Sequence, residues 1–265
     1  MATKFYNNIA ENYDSDFNFT YSDTKDLAFE QIKANLTMPS PKILDIAAGT
    51  GNMLSFLKHF FPEANITAND ISHNMLDIAK SKLGPNHTYI NDDLKNITNY
   101  IQPESQDLVL AHYTMCFLES KWTIETSLKL LKKGGLLSIL TTTKNNLQEL
   151  HSLHFNKIAK VLNARKHLNQ SCIPHDIDYL ISDVIPDSHT VLCKQIYDKQ
   201  VLFNKPEDIK EYFVTSGWGG SYFTDGYKYK KLLIDALCQL QKLLFSTKYP
   251  LSANNDIAII LVRKN

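Results

Sequence analysis

The sequence predicts an α/β protein built on a doubly wound, mostly parallel sheet with a helical cap, and three observations carry that prediction. Short apolar strands alternate with amphipathic helical segments between residues 42 and 141, the first strand runs straight into a glycine turn that opens a helix, and 43% apolar residues in a chain of 265 can fill one full core. Alternation at this spacing is the mark of right-handed βαβ crossovers, which lay strands side by side in parallel.

The elements follow in order. Residues 5–36 place Phe5, Ile9, Tyr13, Phe17, Leu27, Phe29, Ile32 and Leu36 at helical spacing, with an interruption around 18–23, and Pro39 and Pro41 end the segment. Strands are expected at 42–47, 65–69, 88–91, 107–111 and 136–141, with helices at 52–60, 72–83 and 122–131 between them. Residues 145–186 hold no comparable strand and read as helices inserted as a cap, from Leu147, Leu150, Leu153, Ile158, Val161 and Leu162. A strand at 189–203, a helix at 206–216, a long helix at 226–245 and a strand at 256–263 complete the chain. The expected division is one domain over 1–265, with a ligand-binding core at 40–143, an N-terminal lid at 1–36, the cap at 144–186, and 187–265 completing the sheet.

Charge narrows the partners. Lys plus Arg and Asp plus Glu both number 28, so no net field draws in nucleic acid or an anionic membrane. The aromatic and basic run Tyr227-Lys228-Tyr229-Lys230-Lys231 reads as a solvated helix face. No stretch approaches twenty apolar residues and the N-terminus has no apolar signal core, so a cytoplasmic protein is expected. Cys116, Cys172, Cys193 and Cys238 lie far apart without metal-ligand spacing and are expected as free, buried thiols.

The chemistry begins at Asp45-Ile46-Ala47-Ala48-Gly49-Thr50-Gly51, where a tight turn lets a nucleoside approach backbone or simply punctuates the chain. A dinucleotide fingerprint needs a small residue three positions past Gly51, and Leu54 stands there. Asp45 would repel a pyrophosphate at the helix N-terminus but favours the ammonium and sulfonium of S-adenosylmethionine. Asp70, nineteen residues beyond Gly51, suits both ribose hydroxyls, or else caps the following helix. Asp92 and Asp93 follow the third strand, and a carboxylate there suits the adenine amino group. Asp93 is preferred, with Ile71 and Leu94 on the two faces of the ring.

These stretches together resemble class I S-adenosylmethionine-dependent methyltransferases. The resemblance rests on Leu44-Asp45 through Gly51, Asp70-Ile71-Ser72 with Met75-Leu76, Asp93-Leu94, Gln106-Asp107-Leu108-Val109 and Leu130-Leu131-Lys132-Lys133-Gly134-Gly135. It implies a Rossmann-like, seven-stranded sheet with an antiparallel last strand, S-adenosyl-L-methionine as donor and S-adenosyl-L-homocysteine as product. Ala47 departs from the family's usual Gly, which is harmless if that position needs no positive φ. Tyr6 and Tyr13-Asp14 are similar to the aromatic lid of small-molecule members, where Tyr13 would line the transfer channel; the alternative is an apolar helix face. Leu147-Gln148-Glu149-Leu150-His151 and Lys248-Tyr249-Pro250-Leu251 resemble carboxyl-esterifying members such as malonyl-carrier-protein and trans-aconitate methyltransferases.

The expected function is therefore methyl transfer to a small-molecule acceptor, with a carboxylate favoured and an acyl carrier protein admitted as partner. A macromolecular acceptor and a non-catalytic donor-binding module are the alternatives. The end of the fourth strand should flank the donor, with Ala111 against it, His112 as base or packing residue, and Tyr113 facing the acceptor with Tyr6. Arg165 is a carboxylate clamp or a cation at a helix C-terminus. His151 and His154 have no third ligand at sensible spacing, so no metal is expected.

Overall fold

The structure, a computed structural model, describes residues 2–15, 19–150, 172–215 and 249–265. Phe17, His151, His154, Arg165, Cys238 and the expected helix at 226–245 lie outside the described residues. In chain order the elements are α1 (Ala2–Ile9), α2 (Thr20–Asn35), β1 (Lys42–Asp45), α3 (Asn52–Phe60), β2 (Asn65–Asn69), α4 (His73–Leu83), β3 (Thr88–Ile90), β4 (Gln106–His112), α5 (Ser120–Leu130), β5 (Leu131–Thr142), β6 (Thr190–Tyr197), β7 (Gln200–Phe203), α6 (Pro206–Thr215), β8 (Leu251–Asn254) and β9 (Ile257–Arg263). Single helical turns occupy Gln148–Leu150 and Ile177–Tyr179, the second running into a π turn at Leu180–Val184.

Side-chain alternation builds the layers. Ile43, Leu108, Leu110, Leu136 and Ile259 project to one face, against Ile32 of α2 and Leu54 and Leu57 of α3. Their sequence neighbours Leu44, Val109, Leu137, Ile139 and Ile260 project to the other, against Ile124 and Leu128 of α5 with Leu180 and Val184. A strand covered on both faces must be apolar throughout, and β4 is buried at every position. Full burial of each large aliphatic side chain stabilises by about 1.5–3 kcal/mol.

Seven strands pair in the order β3-β2-β1-β4-β5-β9-β6, with β9 antiparallel to both of its neighbours. The chain walks outward from β1 to β3 and returns to place β4 on the other side of β1, which leaves a crevice at the carboxyl ends of β1 and β4. Ser72 caps α4 by accepting from the Met75 amide, and Gly84 ends that helix at φ 87°.

Three expectations need correction. The single strand at 189–203 is two strands in different sheets: β6 lies along β9, whereas β7 pairs with β8 in a separate two-stranded sheet. The corner forms at Lys199, whose carbonyl accepts both the backbone and side-chain amides of Asn255 and whose ammonium pairs with Asp23 at 2.8 Å. β5 begins at Leu131 rather than 136, because Leu131 pairs with Gln106 ahead of an irregularity that Gly134 accommodates at φ 81°. The break in the N-terminal segment lies earlier than expected: α1 ends at Ile9, a 3-10 turn follows at Ala10–Asn12, and α2 is already helical at Thr20.

Candidate active site

The turn after β1 is held by its neighbours. The Ala48 amide donates to the Asn69 carbonyl at 2.8 Å, and the Asn69 side-chain amide donates to the Ile46 carbonyl at 2.9 Å. The Ala47 amide donates to Asp45 Oδ1 at 3.1 Å, and the Gly49 amide to Asp70 Oδ2 at 2.9 Å. Gly49 and Gly51 both take positive φ, 53° and 74°, whereas Ala47 does not, so the turn tolerates alanine where the family usually has glycine. At Gly51 a Cβ would lie 2.9 Å from the Cβ of Ala79, so the absent side chain lets α4 pack against the turn.

Two adjoining cavities open beside this turn. The larger, about 340 Å³, is lined by Ile46, Asn69, Asp70, Ile71, Met75, Asp93, Leu94, Lys95 and the segment Thr114 to Leu118 except Met115, beneath Tyr6. The smaller, about 120 Å³, is lined by Asp14, Ser22, Lys25, Asp45, Thr50 and Asn52, among others. Tyr13, Tyr21, Ala47, Gly49, His112 and Tyr113 line both and mark the junction. The larger volume falls within the range of small-molecule sites. Asn69 and Thr114 each carry a buried side-chain oxygen without a hydrogen-bond partner among the described residues, so polar capacity remains for a bound group. A nucleoside with a charged tail therefore fits the residues present.

Asp45 is 3% exposed. Burial, with Asp70 nearby, pushes its carboxyl up to about 7 against the pull of the Ala47 amide. Asp70 is also raised by burial, opposed by backbone donors at Ser72, Gly49 and Ile71. Its Oδ2 accepts the Gly49 amide hydrogen and its Oδ1 that of Ser72, and a carboxylate has about four lone-pair sites, so acceptor capacity remains. It is thus turn brace and open acceptor at once. Asp92 turns outward to Tyr100, Asn96 and the Asp93 amide, whereas Asp93 lines the larger cavity.

The N-terminal segment roofs the junction. Phe117, Tyr6, Tyr13, Tyr21 and Tyr113 form a chain of ring contacts with centroids 5.1–6.1 Å apart, and Tyr13 lies over Gly49. Asp14 fastens the roof, accepting from Thr50 Oγ1 at 2.6 Å and Asn52 Nδ2 at 2.8 Å and pairing with Lys82 at 2.7 Å. Asn7 ties α1 to the start of α4 through Ser72 and Asn74. The Tyr113 hydroxyl meets Thr24 Oγ1 at 2.8 Å, and its residue stands at φ 55°.

Titration behaviour limits the chemistry. His112 is buried against Ser138 Oγ at 3.0 Å, and burial pulls its imidazole down to about 3, too weakly basic to accept a proton near neutrality. Burial raises the Tyr6, Tyr13 and Tyr21 hydroxyls and the Cys116 thiol, which remain protonated.

Of the residues singled out in the sequence, Asp45, Ala47, Gly49, Asp70, Ile71, Asp93, Leu94, Tyr6, Tyr13, His112 and Tyr113 come together here. Gly51 shapes the turn from behind. Ala111 does not face the cavities: the two-residue strand period turns it into the core beneath α5 while His112 faces the junction. Of the described cysteines Cys116 is buried, and Cys172 and Cys193 are half-buried. Among the described residues no helix is long and apolar enough to cross a membrane. Thr114, at the expected end of the fourth strand, lines the larger cavity, whereas Tyr21, Lys25, Asn69 and Cys116 also line the site and were not foreseen. Asn69, beside Asp70 at a strand end, carried a usable signal, whereas the others reach the site through tertiary folding.

A glycine turn at the switch point, a carboxylate at the end of each of the first three strands and the strand order with its reversed β9 define a doubly wound, Rossmann-like domain. Residues 43–135 match the methyltransferase domain family. The chain is 32% identical over 160 residues to the malonyl-[acyl-carrier protein] O-methyltransferase of Priestia megaterium (strain DSM 319 / IMG 1521), covering 58% of this chain and 56% of that protein. It is 25% identical over 217 residues to the protein of the same name from Marinomonas sp. (strain MWYL1), covering 78% and 73%. The matched stretch thus spans about half the length of the first relative. A crystal structure from Bacillus halodurans C-125, provisionally assigned as a methyltransferase, superposes with TM-score 0.59 at 14% identity over 89% of this chain and 98% of that one. That likeness establishes the fold.

Proposed function

We propose that the protein transfers a methyl group from S-adenosylmethionine to a carboxylate, carried on a small molecule or on an acyl carrier protein. The observation that carries this reading is His112: burial pulls its imidazole down to about 3, and burial keeps the Tyr13 hydroxyl and the Cys116 thiol protonated, so none of these three serves as a base near neutrality. A hydroxyl or amine acceptor gains from a base, whereas a carboxylate arrives ionised. The two carrier-protein methyltransferases to which the chain is similar point the same way.

The sulfonium supplies a methyl carbon already activated, so a carboxylate oxygen displaces it in line and the sulfur leaves as a neutral thioether. The protein's part is position and dryness. Asp70 would hold the ribose hydroxyls, Asp93 the adenine amino group between Ile71 and Leu94, and Asp45 the ammonium of the tail. Tyr13 and Tyr113 would flank the transferred methyl, with neutral His112 packing beside it and Tyr6 closing the roof. The lid at 1–36 would exclude water and the cap at 144–186, which contains Arg165, would select the acceptor.

The test is calorimetric titration of S-adenosylmethionine into the wild type and Asp70→Ala, followed by labelled methyl transfer to a malonyl carrier-protein thioester and to free dicarboxylates. Micromolar binding lost in the variant, with label on a carboxylate, is expected. No binding by cofactor-free wild type, or label found on hydroxyl or amine acceptors instead, would sink the proposal.

A further inference from the structure

β4 and β5 run in parallel, with Leu110 beside Ser138 and His112 beside Leu140. Residues two apart in a strand share a face, so His112 and Ser138 are diagonal neighbours on the face that α2 and α3 cover. Both are buried, and His112 Nε2 lies 3.0 Å from Ser138 Oγ. Among the described residues Ser138 Oγ has no second partner, and His112 Nδ1 has none at all. Burial keeps the imidazole neutral, and a neutral imidazole carries a single ring hydrogen, on one nitrogen or the other.

The serine decides which. Were the hydrogen on Nε2, that nitrogen would donate to Ser138 and leave the hydroxyl's own hydrogen buried without an acceptor. When the hydroxyl donates to a bare Nε2 instead, no hydrogen is stranded in the core. Buried donors go unpaired more rarely than buried acceptors, so the second arrangement prevails and the hydrogen stands on Nδ1. The same imidazole lines both cavities at their junction.

We propose that Ser138 holds His112 as the Nδ1–H tautomer, and that this neutral N–H donates to the acceptor's carboxylate and aims it at the methyl carbon. One carboxylate oxygen takes the hydrogen bond while the other forms the new bond to carbon; the carbon–sulfur bond breaks with its electron pair passing to sulfur, and no proton moves. The proposal rests on the carboxylate reading and deepens it, with His112 orienting the acceptor and Ser138 acting through it as a positioning residue. A neutral donor suits the task. The carboxylate loses its charge as the methyl arrives, so a cation would stabilise the starting state more than the transition state.

Nitrogen NMR of histidine-labelled protein reads the tautomer directly, with His112→Asn identifying the signal. Wild type should show the hydrogen on Nδ1, and Ser138→Ala a mixture of both forms. Kinetics with the malonyl carrier-protein thioester and titrations of S-adenosylhomocysteine accompany it, with melting temperatures recorded to verify folding. Acceptor KM should rise about threefold to tenfold in Ser138→Ala and about tenfold or more in His112→Leu, with S-adenosylhomocysteine affinity unchanged. His112→Asn, whose amide still donates, should keep a KM close to wild type. A hydrogen on Nε2 in wild type, S-adenosylhomocysteine affinity falling in step with the rise in KM, or His112→Asn as impaired as His112→Leu overturns the proposal. Wild type that methylates no carboxylate is a different failure and removes the carboxylate reading itself.

Discussion

With the donor's ammonium seated at Asp45 as proposed, donor binding would be a proton-coupled event whose size can be worked out in advance. Its carboxyl sits at about 7 because burial disfavours the charged form. An ammonium seated beside it reverses that preference, so the tail binds the ionised protein and expels a proton from the rest. With a value of about 7 the ionised fraction is about 3% at pH 5.5 and about 75% at pH 7.5. The apparent affinity should therefore rise about 25-fold across that interval, equivalent to about 1.9 kcal/mol. The sign for folding is opposite: the folded protein holds this proton more tightly than the unfolded chain, so ligand-free stability falls as pH rises from about 4 to about 7. Titration of S-adenosylhomocysteine at five pH values, in pairs of buffers with different protonation enthalpies, reads both the slope and the released proton. Asp45→Asn should bind more weakly and lose the slope. The same slope in Asp45→Asn, or no proton release at pH 6.5, would refute the reasoning.

Further outcomes follow from the same geometry. Gly51→Ala places a Cβ 2.9 Å from the Ala79 Cβ at a residue with φ 74°; urea unfolding should show a loss of about 2–4 kcal/mol, and a loss below about 1 kcal/mol would deny the close packing. His112→Asn should keep at least about a tenth of the transfer rate with an unchanged acid limb in the pH profile, whereas a base would cost about a hundredfold or more. Asp14→Ala should change stability by under about 1 kcal/mol, because its partner Lys82 is partly solvated. Stopped-flow tyrosine fluorescence on that variant should nevertheless show donor release several-fold faster, and an unchanged off-rate would mean that the latch does not hold the roof.

The central elements were legible because two periodicities agree there. The bounds of α3 and β2 were read from sequence without error, since β2 is buried at every position after the exposed Asn65 and α3 alternates faces cleanly. That Asp45, Asp70 and Asp93 line the cavities was legible because each stands at a strand end, where the fold itself directs the side chain into the crevice. Ala111 was misassigned by one residue, and in a strand one residue inverts the face. Tyr21 and Lys25 were not identifiable because their contact with the site depends on how α2 folds back over the turn, a tertiary fact with no local signature. β8 is four residues long, half of them only partly buried, so no alternation could announce it, and β7 was hidden as the continuation of β6.

The pairing of Thr142 with Ile257 means that the chain leaves the inner strands at the end of β5 and rejoins them at the start of β9, its neighbour, having added β6 to the sheet edge on the way. Residues 143–256 form an excursion whose two ends are neighbours across a strand ladder, so its length changes the closure entropy only slowly. Outside β6 and the core contacts of Leu180 and Val184, the excursion can change length without pulling on β1 to β4. The frame thereby behaves like a tool handle with a single socket: new acceptor preferences can be fitted at that seam, by natural recombination or by grafting, while Asp45, Asp70 and Asp93 stay where they are.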